Sequence, residues 1–441
     1  LLVRTAYKVE KVIVTGFLLV ILAGAFLLWL SNNYIYNIQT SLVDSLFMAA
    51  SAVCVTGLAT INVSTGMGFL SQLVLLCLIQ IGGLGFMTGM MLLGLAIGKR
   101  IGIKSRIFFL GGLGVEGVHG AIKLLITVIK YTVSLESVGV LFLYIGFILN
   151  GESMQTALYY AVFHSVSAFC NAGFSLYQNG LEGFYLSFIV PLVIMMLIVS
   201  GGIGFPVFSD CWEAFKNNKK ISHYSRLVIC VTLWLIAAGT GLILISDWNG
   251  ALSGLPVWAK IWNALFQSIT ARTAGFDLIH QAKFSSLGQM LTIFLMIIGA
   301  SPASTGGGIK TTTFGVLAAA VWGEIHGKDE TVIWNRKISD STVKRALALA
   351  FVYILTFLIG AVMLTVFENK PFGMIIFEAV SAMGTVGLST GITPGLSSAG
   401  KVILILLMFW GRVGILSFFA ALISIDKGAE VHYSEVHIPI G

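Results

Sequence analysis

Apolar positions along this chain fall into two kinds of stretch that alternate. Runs of about twenty or more, long enough to cross a hydrocarbon core as helices, occupy about 11–30, 69–98, 124–149, 184–216, 225–246, 287–323, 343–367 and 398–425. Half-apolar stretches at about 42–53, 154–168, 256–271 and 371–383 lie between them, each too short to cross. Every short stretch runs into a glycine-centred turn. The turns are Cys54-Val55-Thr56-Gly57-Leu58, Cys170-Asn171-Ala172-Gly173-Phe174, Arg272-Thr273-Ala274-Gly275-Phe276 and Thr385-Val386-Gly387-Leu388-Ser389. The order helix, short re-entrant helix, turn, helix therefore occurs four times, with the turn glycines 116, 102 and 112 residues apart. Ser51-Ala52-Val53, Ser167-Ala168-Phe169 and Ser381-Ala382-Met383 precede three of the turns. Self-similarity of this kind marks a repeat architecture.

The pattern predicts an all-α membrane protein of four tandem helix–pore helix–filter turn–helix repeats in a pseudo-fourfold ring with a central pore. Repeat 1 is expected at 1–110, repeat 2 at 111–220, repeat 3 at 221–330 and repeat 4 at 331–425, with a C-terminal tail at 426–441. Each unit crosses twice, so the copies keep one orientation, a parallel repeat and not an inverted one. Irregular backbone at membrane depth is tolerated where it lines a cavity or is buried in protein, and four coincident exceptions imply one shared cavity. Glycine permits positive φ, so such turns can aim successive carbonyl oxygens one way and replace the hydration shell of a cation. The candidate filter is Val55, Thr56, Gly57, Asn171, Ala172, Gly173, Thr273, Ala274, Gly275, Thr385, Val386 and Gly387, with a dehydrated cation as the bound ion. Only Thr385-Val386-Gly387 closely matches the Thr-Val-Gly pattern of potassium channels, so the ring is asymmetric and its selectivity good without being extreme. The short helices would point their C-terminal ends, which carry partial negative charge, at the pore.

Composition places the chain in a bilayer. Of 441 residues 57% are hydrophobic and 10% charged, against about 25% charged in a soluble protein; the mean hydropathy is +0.94. The net charge of +7 matters through its placement. Three connections hold Lys99, Arg100, Lys104, Arg106 and Lys123; Lys216, Lys219, Lys220 and Arg226; and Lys328, Arg336, Lys337, Lys344 and Arg345. The opposite connections hold only Lys260, Lys283, Lys370 and Lys401. Positive charge stays inside, which predicts a multi-pass plasma-membrane protein with both termini cytoplasmic. Arg4, Lys8 and Lys11 precede a run with no small-residue cleavage pattern, so that run reads as a helix and not a removable signal. The five cysteines show neither CxxC pairing nor metal-ligand spacing. No basic face is interleaved with base-stacking aromatics, so nucleic acid is not an expected partner.

The third closing run is interrupted by Gly299-Ala300-Ser301-Pro302-Ala303-Ser304-Thr305-Gly306-Gly307-Gly308. Proline and glycine together exclude a continuous helix there. Below a filter such a segment is a gate candidate (Ala300, Ser301, Pro302, Ala303, Ser304, Thr305, Gly306, Gly307, Gly308, with Lys310 as a latch), or else a passive kink. Gly-Gly-Gly-Ile-Lys-Thr superficially echoes a phosphate loop, but Ile309 breaks the Gly-Lys-Ser/Thr ending and no strand precedes it. Arg412 and Glu378 are charges inside apolar stretches, which usually face a partner or a cavity. They are expected to approach one another, either as a barrier that limits cation throughput below the filter or as a structural ion pair. Asp44, Glu152, Asp277 and Glu368 would lie near the outer surface, either concentrating cations or solvated in loops. No paired catalytic side chains point to an enzyme. The scarcity of acids within the spans disfavours a proton- or sodium-coupled secondary carrier, the alternative to a channel-like filter.

Thr-Ala-Gly-Phe at 273–276, Asn-Ala-Gly-Phe at 171–174, Thr-Val-Gly-Leu-Ser at 385–389 and Ser-Pro-Ala-Ser-Thr-Gly-Gly-Gly-Ile-Lys-Thr-Thr at 301–312 resemble the filter and gate units of the Trk/Ktr/HKT potassium transporters. The resemblance covers essentially the whole chain, and the compact length is more similar to the Ktr membrane subunit than to the longer Trk one. It implies potassium uptake through the filter, gating by the loop at 300–308, possible sodium dependence, and a homodimer with one pore per subunit. Glycine in all four turns, where some plant members carry serine in the first, favours potassium over sodium. The resemblance also implies a cytosolic regulatory ring of the KtrA type that binds nucleotide (ATP/ADP). This chain itself has no Rossmann-type unit and is expected to carry no cofactor. The 431–441 tail reads as disordered on composition, whereas the resemblance suggests docking at a subunit interface.

Overall fold

A computed structural model describes residues 2–85 and 121–414. The expected end of the first closing run, the basic positions Lys99, Arg100, Lys104 and Arg106, the end of the fourth closing run and the 426–441 tail lie outside the described residues. Four outer helices are long and apolar enough to span a bilayer: α1 (Leu2–Leu30, continued by a π-turn at Ser31–Ile35), α4 (Ala121–Leu149), α8 (His223–Asp247) and α12 (Asp340–Phe367). Only 22–33% of their apolar windows is buried, which puts them at the rim of the bundle. Short helices follow them: α2 (Leu42–Val53), α5 (Met154–Phe169), α9 (Val257–Thr270) and α13 (Phe372–Gly384). These carry the core, and every residue of α2 from Phe47 and of α13 from Phe377 is buried. Serine hydroxyls at Ser41 and Ser153 cap α2 and α5, while Pro256 and Pro371 stand at the start of α9 and α13, residues that begin helices without leaving a donor exposed.

The closing helices are α3 (Phe69–Leu84), α6 (Ile189–Gly202), α10 (Ser286–Ile297) and α14 (Ser398–Val413). Each packs on its own outer helix through one glycine–leucine contact: Gly24 on Leu78, Gly139 on Leu197, Gly239 on Leu295 and Gly360 on Leu407. A methyl group on any of these glycines would lie 2.7–2.9 Å from a leucine methyl. Small residues at such crossings allow the close approach that helix packing in lipid requires.

One expected element is corrected. The apolar run at 184–216 is not one helix: a short 3-10 turn at Glu182–Phe184 precedes α6, and the chain then bends by 96° into α7 (Phe205–Asn217). Gly204, at φ +96°, makes the corner, and Pro206 opens the new helix. The third closing run stops at Ile297 and resumes as α11 (Thr311–Ile325), where the Pro/Gly stretch intervenes. The first and fourth stop before Gly85 (φ +83°) and Gly414 (φ +88°). Gly82-Gly83-Leu84-Gly85, Gly201-Gly202-Ile203-Gly204 and Gly411-Arg412-Val413-Gly414 are thus three versions of one helix-ending motif. A hairpin of β1 (Val332–Ile333) and β2 (Arg336–Lys337) lies between α11 and α12.

At the other end of the bundle, an acid or amide near the end of an outer helix meets the serine near the start of the closing helix in all four units, most weakly in the second, where Asn150 Nδ2 donates to Ser187 Oγ at 3.5 Å. Ser71 Oγ donates to Asn32 Oδ1 (2.6 Å), Ser285 N to Asp247 Oδ1 (2.7 Å), and Ser397 N to Glu368 Oε1 (2.8 Å). Glu368 also accepts from the Ser397 hydroxyl at 2.6 Å. Units four and one, unjoined by chain, are tied by Lys401 Nζ to Asp44 Oδ1 at 2.7 Å, with both side chains largely shielded. Glu368→Ala should leave the Ser397 amide without its acceptor and cost about 1–3 kcal/mol. This is read as a lower midpoint of thermal unfolding in detergent than for the exposed control Lys370→Ala.

Candidate functional site

The four turns share one backbone pattern. Their first and third residues have positive φ: Val55 and Gly57 (56° and 96°), Asn171 and Gly173 (59° and 70°), Thr273 and Gly275 (69° and 77°), Thr385 and Gly387 (50° and 97°). Val, Asn and Thr do not adopt this region without cost, so the surrounding structure enforces it. The enforcing bonds run back to the short helices. Thr56 N donates to Ser51 O (2.8 Å), Ala172 N to Ser167 O (2.7 Å), Val386 N to Ser381 O (2.8 Å) and Ala274 N to Thr270 O (3.0 Å). The Ser51 and Ser381 hydroxyls accept Gly57 N and Gly387 N, each at 3.1 Å. In the third unit the Thr270 hydroxyl accepts Phe276 N at 2.8 Å instead. That clamp sits one residue nearer its turn, which is why the Ser-Ala signature is missing from the third unit.

The turns meet in sequence order and close. A Cβ on Gly57 would fall 2.5 Å from Ala172 O, and one on Gly173 2.7 Å from Ala274 O. One on Gly275 would strike Val386 O, and one on Gly387 would strike Thr56 O. Among the described residues no hydrogen bond ends on a carbonyl oxygen of these twelve residues. The Thr56, Thr273 and Thr385 hydroxyls are buried without partners. The Asn171 amide nitrogen turns aside to Ala168 O and Ile198 O at 3.0 and 3.2 Å. Ten of the twelve main-chain N–H groups are thus consumed on the outside of the ring, while the acceptors are left over.

The 299–310 segment lies against two of these turns: Gly306 abuts the Thr273 side chain and Gly307 that of Thr385. Ser301 N and Thr305 N donate to Gly202 O and Gly201 O (3.0 and 3.2 Å), and Phe205 N returns a bond to Ala303 O (3.1 Å). Within the loop Ala300 N bonds Gly307 O (3.3 Å), Ser304 Oγ bonds Ser301 O (2.6 Å), and the Ser301 hydroxyl meets Thr311 at 3.0 Å. Lys310 Nζ bonds Gly306 O at 2.7 Å, and Pro302 O receives Tyr224 at 3.4 Å. Gly308 turns the chain back at φ +70°.

The expected approach of Glu378 to Arg412 is corrected. Glu378 is buried on the other side of the turn and spends its oxygens on Ser389 (2.6 Å), Thr390 N (3.0 Å) and Thr393 (2.8 Å), local donors that make a distant cation unnecessary. Arg412 instead bonds Thr305 O of the loop, and Gly82 O and Gly83 O at the end of α3. Its position in the helix-ending motif is that of Gly83 and Gly202, so one unit supplies a guanidinium where two supply bare backbone. The outer acids also differ from expectation: Asp44, Asp277 and Glu368 are engaged by Lys401, Gln281 and Ser397, so they do not stand free in solvent. Glu152 is half-buried. Two charges at membrane depth were given no role on sequence grounds. Glu136 in α4 accepts from Gln80 Nε2 at 3.0 Å, and Arg272, just before the third turn, is buried with one weak bond to Thr232 O at 3.5 Å. The signal for both was a charge in or beside an apolar run.

A family model described as "TrkH: Cation transport protein" matches residues 4–432. The Ktr system potassium uptake protein B of Bacillus subtilis is 38% identical over 433 residues, 98% of this chain and 95% of that protein. The potassium/sodium uptake protein NtpJ of Enterococcus hirae is 37% identical over 98% of this chain and 96% of its own length. The crystal structure of the potassium transporter TrkH from Vibrio parahaemolyticus superposes with a TM-score of 0.73 at 19% identity, covering 94% of this chain and 84% of that one, which is a likeness of fold. The chain belongs to the TrkH family of cation transport proteins.

Proposed function

We propose that this protein takes up potassium across the plasma membrane through a selectivity filter made of the carbonyl oxygens of its four turns. The observation that carries the reading is the closed ring of turns, with ten of its twelve N–H groups tied outward and its twelve main-chain acceptors unbonded among the described residues. Acceptors in that state match what a dehydrated cation needs. The potassium uptake named for the Bacillus relative and the potassium/sodium uptake named for the Enterococcus relative support the same ion and leave room for a sodium requirement. Basic connections at one end support an orientation with both termini cytoplasmic.

The loop at 300–308 acts as the gate in this reading, because it lies against Thr273 and Thr385 and is anchored by main-chain groups of the second unit and by Arg412 of the fourth. Arg412 places a fixed positive charge just beneath the ring and pins Thr305, so it raises the barrier to cation passage; Lys310 adds a second pin. Regulation is assigned to a cytosolic nucleotide-binding (ATP/ADP) ring of the KtrA type acting on a homodimer, in keeping with the Ktr-system name of relatives. A coupled cation carrier is the second reading, and Glu136 is the one observation in its favour. That carboxyl sits at membrane depth but is bonded to Gln80, outside the ring.

Reversal potentials on reconstituted protein in mixed potassium and sodium test the filter. The expected result is preference for potassium without dependence on a proton gradient; steep proton dependence that Glu136→Gln abolishes would establish the carrier instead. Gly57→Ser puts a side chain against Ala172 O and should reduce the potassium-over-sodium preference, seen as a shift of the reversal potential toward sodium. Arg412→Ala should raise rubidium flux about tenfold, the effect of ~1.4 kcal/mol on a barrier. A poorly assembled protein would mean that Arg412 is structural.

A further inference from the structure

Helix α7 is not needed to build the ring, yet it is wired to the loop. Its apolar and polar residues divide cleanly around the helix: Val207 and Ala214 are buried against the protein, while Phe208, Trp212 and Phe215 continue the same apolar half outward. Trp212, which stacks on Phe208, is 59% and Phe215 87% exposed, large rings left largely uncovered by the described residues. Asp210, Glu213 and Lys216 occupy the opposite half. The 96° bend at Gly204 turns this helix across the direction of α6, whose own flank is open at Met196. Lys216, Lys219 and Lys220 follow at its end, exposed and outside every ion pair found among the described residues.

An amphipathic helix of this kind, continuous with a lipid-facing flank and flanked by lysines, fits the boundary between acyl chains and anionic headgroups. The first half of α7 reaches the loop by two routes, one direct and one through the start of α8. Phe205 N, at its start, donates to Ala303 O at 3.1 Å. Asp210 accepts Ser222 N (2.9 Å) and the Ser222 hydroxyl (2.7 Å), which fixes the start of α8, where Tyr224 reaches Pro302 O.

We infer that α7 lies in the headgroup layer of the cytoplasmic leaflet, binding anionic phospholipid through Lys216, Lys219 and Lys220 with Trp212 and Phe215 at the acyl boundary, and that this anchoring holds the 300–308 loop across the pore. The inference rests on the gate reading above. Anchored, α7 keeps its bend and hence the Phe205–Ala303 bond; released, it no longer restrains the loop.

The full chain is reconstituted in bilayers of phosphatidylglycerol mixed with phosphatidylcholine that carries bromine high on the acyl chain. Trp212→Phe should remove a measurable share of the tryptophan quenching; unchanged quenching overturns the lipid assignment. Rubidium uptake is then compared in vesicles of neutral phosphatidylcholine and in vesicles containing phosphatidylglycerol. Anionic lipid should lower resting uptake by about fivefold or more, the scale of a single lysine–headgroup attraction. The K216Q/K219Q/K220Q variant should lose that difference while matching the parent in neutral vesicles. Phe215→Gln should raise resting uptake in anionic vesicles. Uptake indifferent to lipid charge, or lowered by Phe215→Gln, overturns the coupling. Uptake by the parent in neutral vesicles reports separately on transport itself, so failure of the lipid lever and failure of the transport reading give different results.

Discussion

Backbone polarity in a place without water is the constraint on which the structure depends. A turn at membrane depth exposes donors and acceptors that hydrocarbon cannot satisfy. Here the donors are satisfied by the last turn of each short helix, through carbonyls at Ser51, Ser167, Thr270 and Ser381. The acceptors are left to one another's company around an axis, and on the function proposed above a cation answers them. Fold and cation chemistry are therefore two faces of the same requirement.

Packing serves that geometry. The turns approach so closely that main chain faces main chain, which only glycine permits at the third position. The helices behind them are drawn in by the same economy, with small residues at the crossings and serine hydroxyls used as clamps. Charges enter where the symmetry is broken: Arg412 replaces a glycine of the helix-ending motif, Arg272 opens the turn after the third short helix, and Lys401 bridges the seam between the last unit and the first.

Most of this order is legible in the apolar pattern. The short stretch at 42–53 is the helix Leu42–Val53, and the twelve turn residues come together because the period that reveals them also aligns them. The Pro/Gly interruption of the third closing run is likewise a local property that composition announces. The bend at Gly204 was harder to see, since Gly201-Gly202-Ile203-Gly204 lies in an apolar run and hydropathy alone does not distinguish a straight helix from two. The three-fold recurrence of the Gly-x-x-Gly ending was the available signal. Glu378 misleads for another reason. A buried charge suggests a distant opposite charge, but three hydroxyl-bearing neighbours within fifteen residues satisfy it, and sequence distance says nothing of how a turn folds back. Arg412 found main-chain oxygens for the same reason: carbonyls are everywhere in the chain and invisible in its lettering.

Fusion of the four units into one chain has a consequence for change. In a ring of identical subunits every substitution strikes all quadrants at once, and a single step can destroy the ion's whole coordination sphere. Here Val55, Asn171, Thr273 and Thr385 occupy one ring position with four different side chains. On the filter reading proposed above, each mutation alters one quarter of the cage, so ion preference can be adjusted in small increments and each quadrant is free to acquire a duty that the other three do not share.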